Sequence, residues 1–268
     1  MTEPRSDTYA LRLSEAELAR YAMMAELART SEADLWQAAG IAPGAAVADV
    51  GCGPGALFSA IVAAVGEQGS VTGVDGDPDA VAQAQAFAAA NGWPQVRVQV
   101  GRADATGLEP SGFDTVMMRH VLAHNGPTEQ PIVDHLSTLV KPGGCVYLVD
   151  IFGPGFGVRP RDDDVDDLND AYVRFHMAKG NDLQTGLRLD TLLGNAGLDV
   201  IAYRGWYNIA KPMGQVRPPS WAARDAMVAA GVATAEDVAR WDAALDRISA
   251  QSPTIFAPMF GAVGRRVP

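Results

Sequence analysis

The sequence is poor in cysteine and has no long apolar run. Cys52 and Cys145 are its only cysteines among 268 residues. Two cysteines provide neither a disulfide framework nor the ligand spacing of a zinc site, which fits a reducing compartment. No uncharged apolar stretch reaches the length of a membrane span, and the polar segment 1–12 lacks the apolar centre of a signal peptide. We therefore expect a cytoplasmic protein without a membrane partner.

Basic residues are also scarce relative to acidic ones. Lys and Arg total 21, Asp and Glu total 32, and the formal net charge is −11 at pH 7. An acidic surface repels the phosphate backbone of nucleic acids and anionic lipids. The composition therefore predicts that nucleic acid is not a partner.

Strand and helix patterns alternate through most of the chain. This rhythm predicts a parallel sheet with right-handed crossovers. A last strand over 255–264 directly follows a helical insertion, so it can return antiparallel to its neighbour. The other predicted strands are 45–50, 70–75, 96–101, 113–118, 145–150 and 199–203.

A glycine-rich turn follows the first predicted strand, in VADVGCGPGAL. Gly51, Gly53 and Gly55 have no Cβ, so the backbone can bend sharply and a ligand can come close. A helix predicted over 55–65 would point its free N–H groups back at this turn. The turn alone is not decisive, because NAD-binding Rossmann enzymes also have one.

Acidic residues lie at the ends of the following strands. Asp75 ends the second strand and Asp104 follows the third. In an open α/β sheet these strand ends line one crevice, where ligands bind. A carboxylate at Asp75 can accept hydrogen bonds from both hydroxyls of a ribose, and Asp104 could accept a hydrogen bond from an adenine amine. Alternatively, Asp75 is only a turn residue at a strand end.

Five motifs together resemble those of the class I S-adenosylmethionine (SAM) dependent methyltransferases. In order, they are VADVGCGPG, GVD, GRADA, FDTVMMRHVLAH and LVKPGG. The resemblance is to the small-molecule methyltransferases of the UbiE-like kind, and it covers about residues 36–203.

The resemblance implies an α/β fold and a division of the chain. We expect a Rossmann-like, seven-stranded, mostly parallel sheet with helices on both faces, with an N-terminal helical segment and helical insertions forming a lid. The expected parts are an N-terminal helical cap 1–40, a SAM-binding core 41–203 with a lid insertion 151–188, a helical insertion 204–252, and a last core strand within 253–268. The insertion 204–252 could cap the acceptor pocket or form a homodimer contact.

The resemblance also implies SAM as the cofactor and assigns residues to it. Asp75 would hold the ribose, Asp104 the adenine, and Arg119 the methionine end. For Asp49 the alternative is a structural role, in which its side chain holds the turn through nearby backbone. The implied cofactor-binding residues are Tyr21, Asp49, Gly51, Gly53, Gly55, Asp75, Gly76, Asp77, Asp104, Ala105 and Arg119.

The implied reaction is an SN2 transfer of a methyl group to an O or N atom of a small-molecule acceptor. Alignment alone can drive such a step. If a base is needed, histidine is the usual side chain near neutral pH. The candidates are His120 and, after it, His124 and His176; a turn-stabilising His124 and a helix-surface His176 are the alternatives. His135 is expected to face solvent.

Several other hypotheses stay open at this point. The acidic run 162–167 could attract a divalent cation, but such runs are more often solvated, so we predict no metal site. An NAD(P)-dependent Rossmann oxidoreductase and a non-catalytic SAM-binding regulator are the alternative functions. A base-modifying nucleic-acid methyltransferase is disfavoured, because the slot after the fourth strand reads Met118-Arg119-His120.

Overall fold

The computed structural model describes residues 25–26, 28–211 and 216–268. Tyr21 and the rest of the predicted N-terminal cap up to residue 24 lie outside the described residues. Within the described ranges, eight strands form one sheet. They are β1 Ala46–Val50, β2 Ser70–Asp75, β3 Val96–Val100, β4 Phe113–Arg119, β5 Val140–Ile151, β6 Gly157–Arg159, β7 Asp199–Ala210 and β8 Thr254–Arg265.

The sheet is mostly parallel. Its strand order is β3-β2-β1-β4-β5-β8, with β6 and β7 both paired to β8. Strands β1 to β5 pair in parallel with one another, whereas β8 is antiparallel to β5. The predicted Rossmann-like architecture and the antiparallel last strand are confirmed, and the short β6 accounts for the eighth strand.

Helices connect the strands and form the outer layers. The α-helices of the described part include α1 Ala33–Ala39, α2 Phe58–Val65, α3 Pro78–Ala90, α4 Glu129–Leu139, α5 Asp163–Ala178, α6 Leu189–Asn195, α7 Pro219–Ala222, α8 Arg224–Ala229 and α9 Ala235–Ser249. Short 3-10 helices are Leu122–His124, Gly126–Thr128, Gly153–Gly155 and Thr185–Arg188. None of the helices in these described ranges combines the length and the apolar character needed to cross a bilayer.

Both faces of the sheet are covered. Successive strand residues point to opposite faces. Val47 and Met117 belong to a buried cluster with residues of α1 and α2. Ala48 and Met118 belong to a second buried cluster with residues of α4 and α6. Helices therefore lie on both faces, as predicted, and they shield a sheet whose central strands are apolar on both sides.

The two predicted insertions share one apolar core. Phe175 of α5 is buried in the same cluster as Trp241 and Leu245 of α9. Arg240 of α9 also donates to Asp164 at 2.6 Å and to Asp167 at 2.9 Å, both on α5. Segments that are distant in the sequence thus form one helical unit; its action as a lid stays a prediction.

Several element boundaries differ from the expectation. Strand β7 continues to Ala210, because its pairing with β8 extends to Ala210 opposite Ile255, so it passes the predicted insertion boundary at 204. Helix α2 begins at Phe58 and not at 55, since Gly55 has a left-handed φ of +81°. Helix α5 lies within the predicted lid insertion 151–188, and α7, α8 and α9 lie within the predicted insertion 204–252. The division into parts stays a prediction.

Gly126→Ala tests the contact between the loop after β4 and the end of α5. Gly126 has φ +28°, and a Cβ there would lie 2.0 Å from the carbonyl oxygen of Gly180. Gly44→Ala is the matched control, because Gly44 has φ +87° and no atom within 4 Å of its added Cβ. We expect Gly44→Ala to cost about 1 kcal/mol of unfolding free energy, and Gly126→Ala roughly 1–3 kcal/mol more. Chemical denaturation measures both, and equal losses would contradict the tight contact.

Candidate active site

The glycine turn is tied to the end of the neighbouring strand. The Gly53 N–H donates to Asp75 Oδ2 at 2.8 Å, and the Asp77 N–H donates to Asp75 Oδ1 at 2.9 Å. The Gly51 N–H donates to the Val74 carbonyl at 2.7 Å. One carboxylate therefore fixes the turn after β1 relative to the residues after β2.

The three glycines of the turn have different surroundings. Each has a positive φ: +80° at Gly51, +53° at Gly53 and +81° at Gly55. A Cβ at Gly51 would lie 2.3 Å from Val121 Cγ2, and one at Gly55 2.7 Å from the Phe58 ring. A Cβ at Gly53 would have no described atom within 4 Å. The open side of the turn is thus at Gly53, beside the Asp75 carboxylate.

Asp49 lies behind this turn at the end of β1, with 2% of its surface exposed. Burial raises the pKa of its carboxyl to about 7, and the nearby charge of Arg119 opposes that rise. The carboxylate of Asp75 adds to it. A nearby cation would stabilise the ionised form of this buried carboxyl, because the attraction compensates for the hydration that burial removes.

Arg119 lies at the end of β4, and its side chain is buried. Its Nε and Nη2 donate to the two carboxylate oxygens of Glu32, at 3.1 Å and 2.6 Å. The Tyr147 hydroxyl donates to Glu32 Oε2 at 2.5 Å. Burial opposes the charge on Arg119, yet the Glu32 carboxylate is close enough that the pKa of the guanidinium is raised. The sequence motifs single out Arg119, whereas no motif marks Glu32 or Tyr147.

The residues assigned to adenine lie after β3. Asp104 forms an ion pair with Arg102 at 2.8 Å, and Ala105 forms an isolated bridge with Arg102. The next residue, Thr106, donates through its backbone N–H to His135 Nε2 at 3.1 Å. The expectation that His135 faces solvent is therefore wrong: its ring is held against this loop, and burial lowers its pKa.

His120 and His124 lie on the loop that leaves β4. His120 has a left-handed φ of +57°, and its N–H donates to the Val149 carbonyl at 2.9 Å. The buried carboxylate of Asp150 accepts from the Ala123 N–H at 3.0 Å, and burial raises the pKa of Asp150 to about 7. The end of β5 thus fixes the turn that carries both histidines.

His176 lies in the last turn of α5 and is only 5% exposed. It is not a helix-surface residue, because its ring packs against His124, with 4.8 Å between ring centroids, and against Tyr172 at 4.4 Å. The Asn181 amide nitrogen lies 3.2 Å from its Nδ1. Burial, with the neighbouring His124, lowers the pKa of His176 to about 3, so the ring is neutral at physiological pH.

The acidic run 162–167 is bonded to arginines. Asp162 caps α5 by accepting from the Asp164 N–H at 3.1 Å. Arg247 pairs with Asp162 at 3.0 Å, and Arg161 with Asp166 at 2.7 Å. Among the residues that the structure describes, no group of three or more His, Cys, Asp or Glu has a metal-binding arrangement.

Asp49→Asn tests the raised pKa of this buried carboxyl. The folded state favours the protonated form, so the contribution of Asp49 to stability is full below its unfolded pKa of about 4 and is lost as pH rises through about 7. We expect the unfolding free energy of Asp49→Asn, relative to the parent protein, to rise from about pH 5 to about pH 8 by on the order of a few kcal/mol. Urea denaturation at both pH values measures this. The exposed Asp170→Asn is the control, and an Asp49→Asn difference independent of pH would refute the assignment.

Comparison with known proteins agrees with this geometry. Residues 47–144 match a family model described as a methyltransferase domain. Ubiquinone biosynthesis O-methyltransferases from Paracidovorax citrulli and Xanthomonas euvesicatoria are 36% and 38% identical over 111 and 106 residues, which are 40% and 39% of this chain. These matches span 45% and 42% of the relatives, less than half of their length.

Solved structures share the fold over most of the chain. A putative methyltransferase from Bacillus halodurans has a TM-score of 0.58 at 19% identity, covering 88% of this chain and 98% of that one. A SAM-dependent methyltransferase from Aquifex aeolicus has a TM-score of 0.57 at 15% identity, covering 96% and 100%. Residues 47–144 are thus similar to a methyltransferase domain, and the chain shares its fold with these solved structures.

Proposed function

We propose that this protein transfers a methyl group from SAM to a hydroxyl oxygen of a small molecule. The observation that carries the proposal is the hydrogen bond from Gly53 to Asp75, with open space on the free side of Gly53. This cradle lies next to a loop with two histidines, so a cofactor and an acceptor would meet at one edge of the sheet. Oxygen is favoured over nitrogen because the curated relatives are named O-methyltransferases.

The cofactor would be held by groups of both signs. Asp75 keeps lone pairs for ribose hydroxyls beyond the two N–H groups that it already accepts. Asp49, behind the turn, would face the ammonium of the methionine end, and the segment 104–105 would border the adenine. When bound, SAM supplies an electrophilic methyl group on a sulfonium sulfur. The protein contributes chiefly by aligning the acceptor oxygen, which can be worth roughly 7–11 kcal/mol.

The acceptor would lie on the side of β4 and β5. We assign His120 as the base that takes the hydroxyl proton, because it directly follows Arg119 at the edge of the sheet and its backbone is fixed to Val149. His176 is neutral and packs on His124, so these two rings would form a wall of the acceptor pocket. A homodimer contact through the second insertion stays a prediction.

Asp75→Asn should weaken SAM binding about tenfold, because an amide replaces the charged acceptor of the ribose hydroxyls and of the Gly53 N–H. Isothermal titration calorimetry measures the affinity. Asp199→Asn, at the start of the distant strand β7, is the control and should bind as the parent protein does. Unchanged affinity of Asp75→Asn would remove Asp75 from the cofactor site.

Methyl transfer itself is tested with a panel of phenols, catechols and amines incubated with SAM. We expect a mass gain of one CH2 unit on a hydroxylated compound. With that acceptor, His120→Gln should lower turnover about 100-fold or more and leave SAM affinity within about twofold. The exposed Asp225→Asn is the control. Transfer to amines alone would contradict the oxygen assignment, and full turnover by His120→Gln would exclude it as the base.

A further inference from the structure

A buried polar cluster lies directly behind the glycine turn. Its members are Glu32, which immediately precedes α1, Asp49 at the end of β1, Arg119 at the end of β4, and Tyr147 on β5. Only 1% of Glu32 is exposed, and the Arg119 side chain is 7% exposed. Charged groups are rarely buried this deeply unless they are paired, and Glu32 and Arg119 are paired here.

The strand registers place the cluster on one face of the sheet. Asp49 is opposite Met117, and Met117 is opposite Tyr147, which puts the three in one row across β1, β4 and β5. Arg119 is two residues beyond Met117 and therefore points to the same face, one step nearer the carboxyl edge. Glu32 reaches this face from α1, whose residues share the buried cluster with Met117 and Tyr147.

Arg119 has two carboxylates within its influence. Glu32 accepts two hydrogen bonds from the Arg119 guanidinium. The positive charge of Arg119 also favours the ionised form of Asp49. Tyr147 donates to Glu32 and so fixes the carboxylate that holds the guanidinium. Without the charge of Glu32, the buried Arg119 guanidinium would have no carboxylate bonded to it. It would then move toward Asp49.

The ends of β1 and β4 thus present an acidic side chain, Asp49, and a guanidinium, Arg119. An α-amino acid carries one ammonium and one carboxylate, so this acid and this guanidinium are complementary to the amino-acid end of the cofactor, whose ammonium would favour the ionised form of Asp49. Asp49 can face the ammonium group of the cofactor only while Arg119 is not paired with Asp49. Glu32 serves this condition by pairing with Arg119 itself.

We propose that Glu32 is a positioning residue for the amino-acid end of the cofactor site, that it acts through Arg119, and that Tyr147 supports it. The segment before α1 is then part of the cofactor site, although it lies outside the glycine motif and the strand ends. The inference rests on the proposed use of SAM.

The test compares two ligands that differ in the amino-acid end. S-adenosylhomocysteine contains it, and 5′-methylthioadenosine has the same nucleoside and thioether but lacks it. We expect Glu32→Gln to weaken S-adenosylhomocysteine about tenfold, while 5′-methylthioadenosine changes by less than about twofold. Tyr147→Phe should show the same selectivity with a smaller loss of about threefold, and the double variant should be no worse than Glu32→Gln alone.

Asp34→Asn is the matched control, since Asp34 lies on α1 and pairs with Arg204 outside the cluster. Its ratio of the two affinities should equal that of the parent protein. Equal weakening of both ligands by Glu32→Gln would overturn the inference, because it indicates a general structural loss; no weakening of either would overturn it as well. If Glu32→Gln does not fold, the ratio for Tyr147→Phe decides by the same criteria. If the parent protein bound neither ligand, the proposed function would fail first.

Discussion

The hydrogen bond between the Gly53 N–H and the Asp75 carboxylate is the interaction on which the site depends. It joins the turn after β1 to the end of β2 at the carboxyl edge of the sheet. Because Gly53 has a left-handed φ and open space on its other side, this bond leaves the backbone accessible. The parallel pairing of β1 with both β2 and β4 brings Asp49, Asp75 and Arg119 to that same edge.

The fold could be predicted from the sequence because its signals are local. Strand patterns, glycine turns and caps such as Thr234 with Asp237 depend on a few neighbouring residues, and the parallel sheet follows from their alternation. The length of β7 could not be predicted, since it is set by pairing with β8 about fifty residues later. The left-handed backbone of Gly55 shortened α2, and no propensity rule indicated that.

The candidate site was predicted less completely for the same reason. Asp75 lies at a strand end within a motif, so its position could be predicted. Glu32 could not, because it meets Arg119 across 87 residues and precedes its helix without a capping bond. His135 and His176 were expected on helix surfaces because helical position alone does not reveal tertiary contacts, which are with Thr106 in one case and with His124 in the other.

The central claim is that the crevice is built for adenosine joined to a charged sulfur amino acid. The most direct test is calorimetric titration of the unaltered protein with SAM and, separately, with NAD. The account predicts that SAM binds with about micromolar affinity, one molecule per chain, and that NAD gives no binding heat. Binding of NAD without binding of SAM would contradict the account.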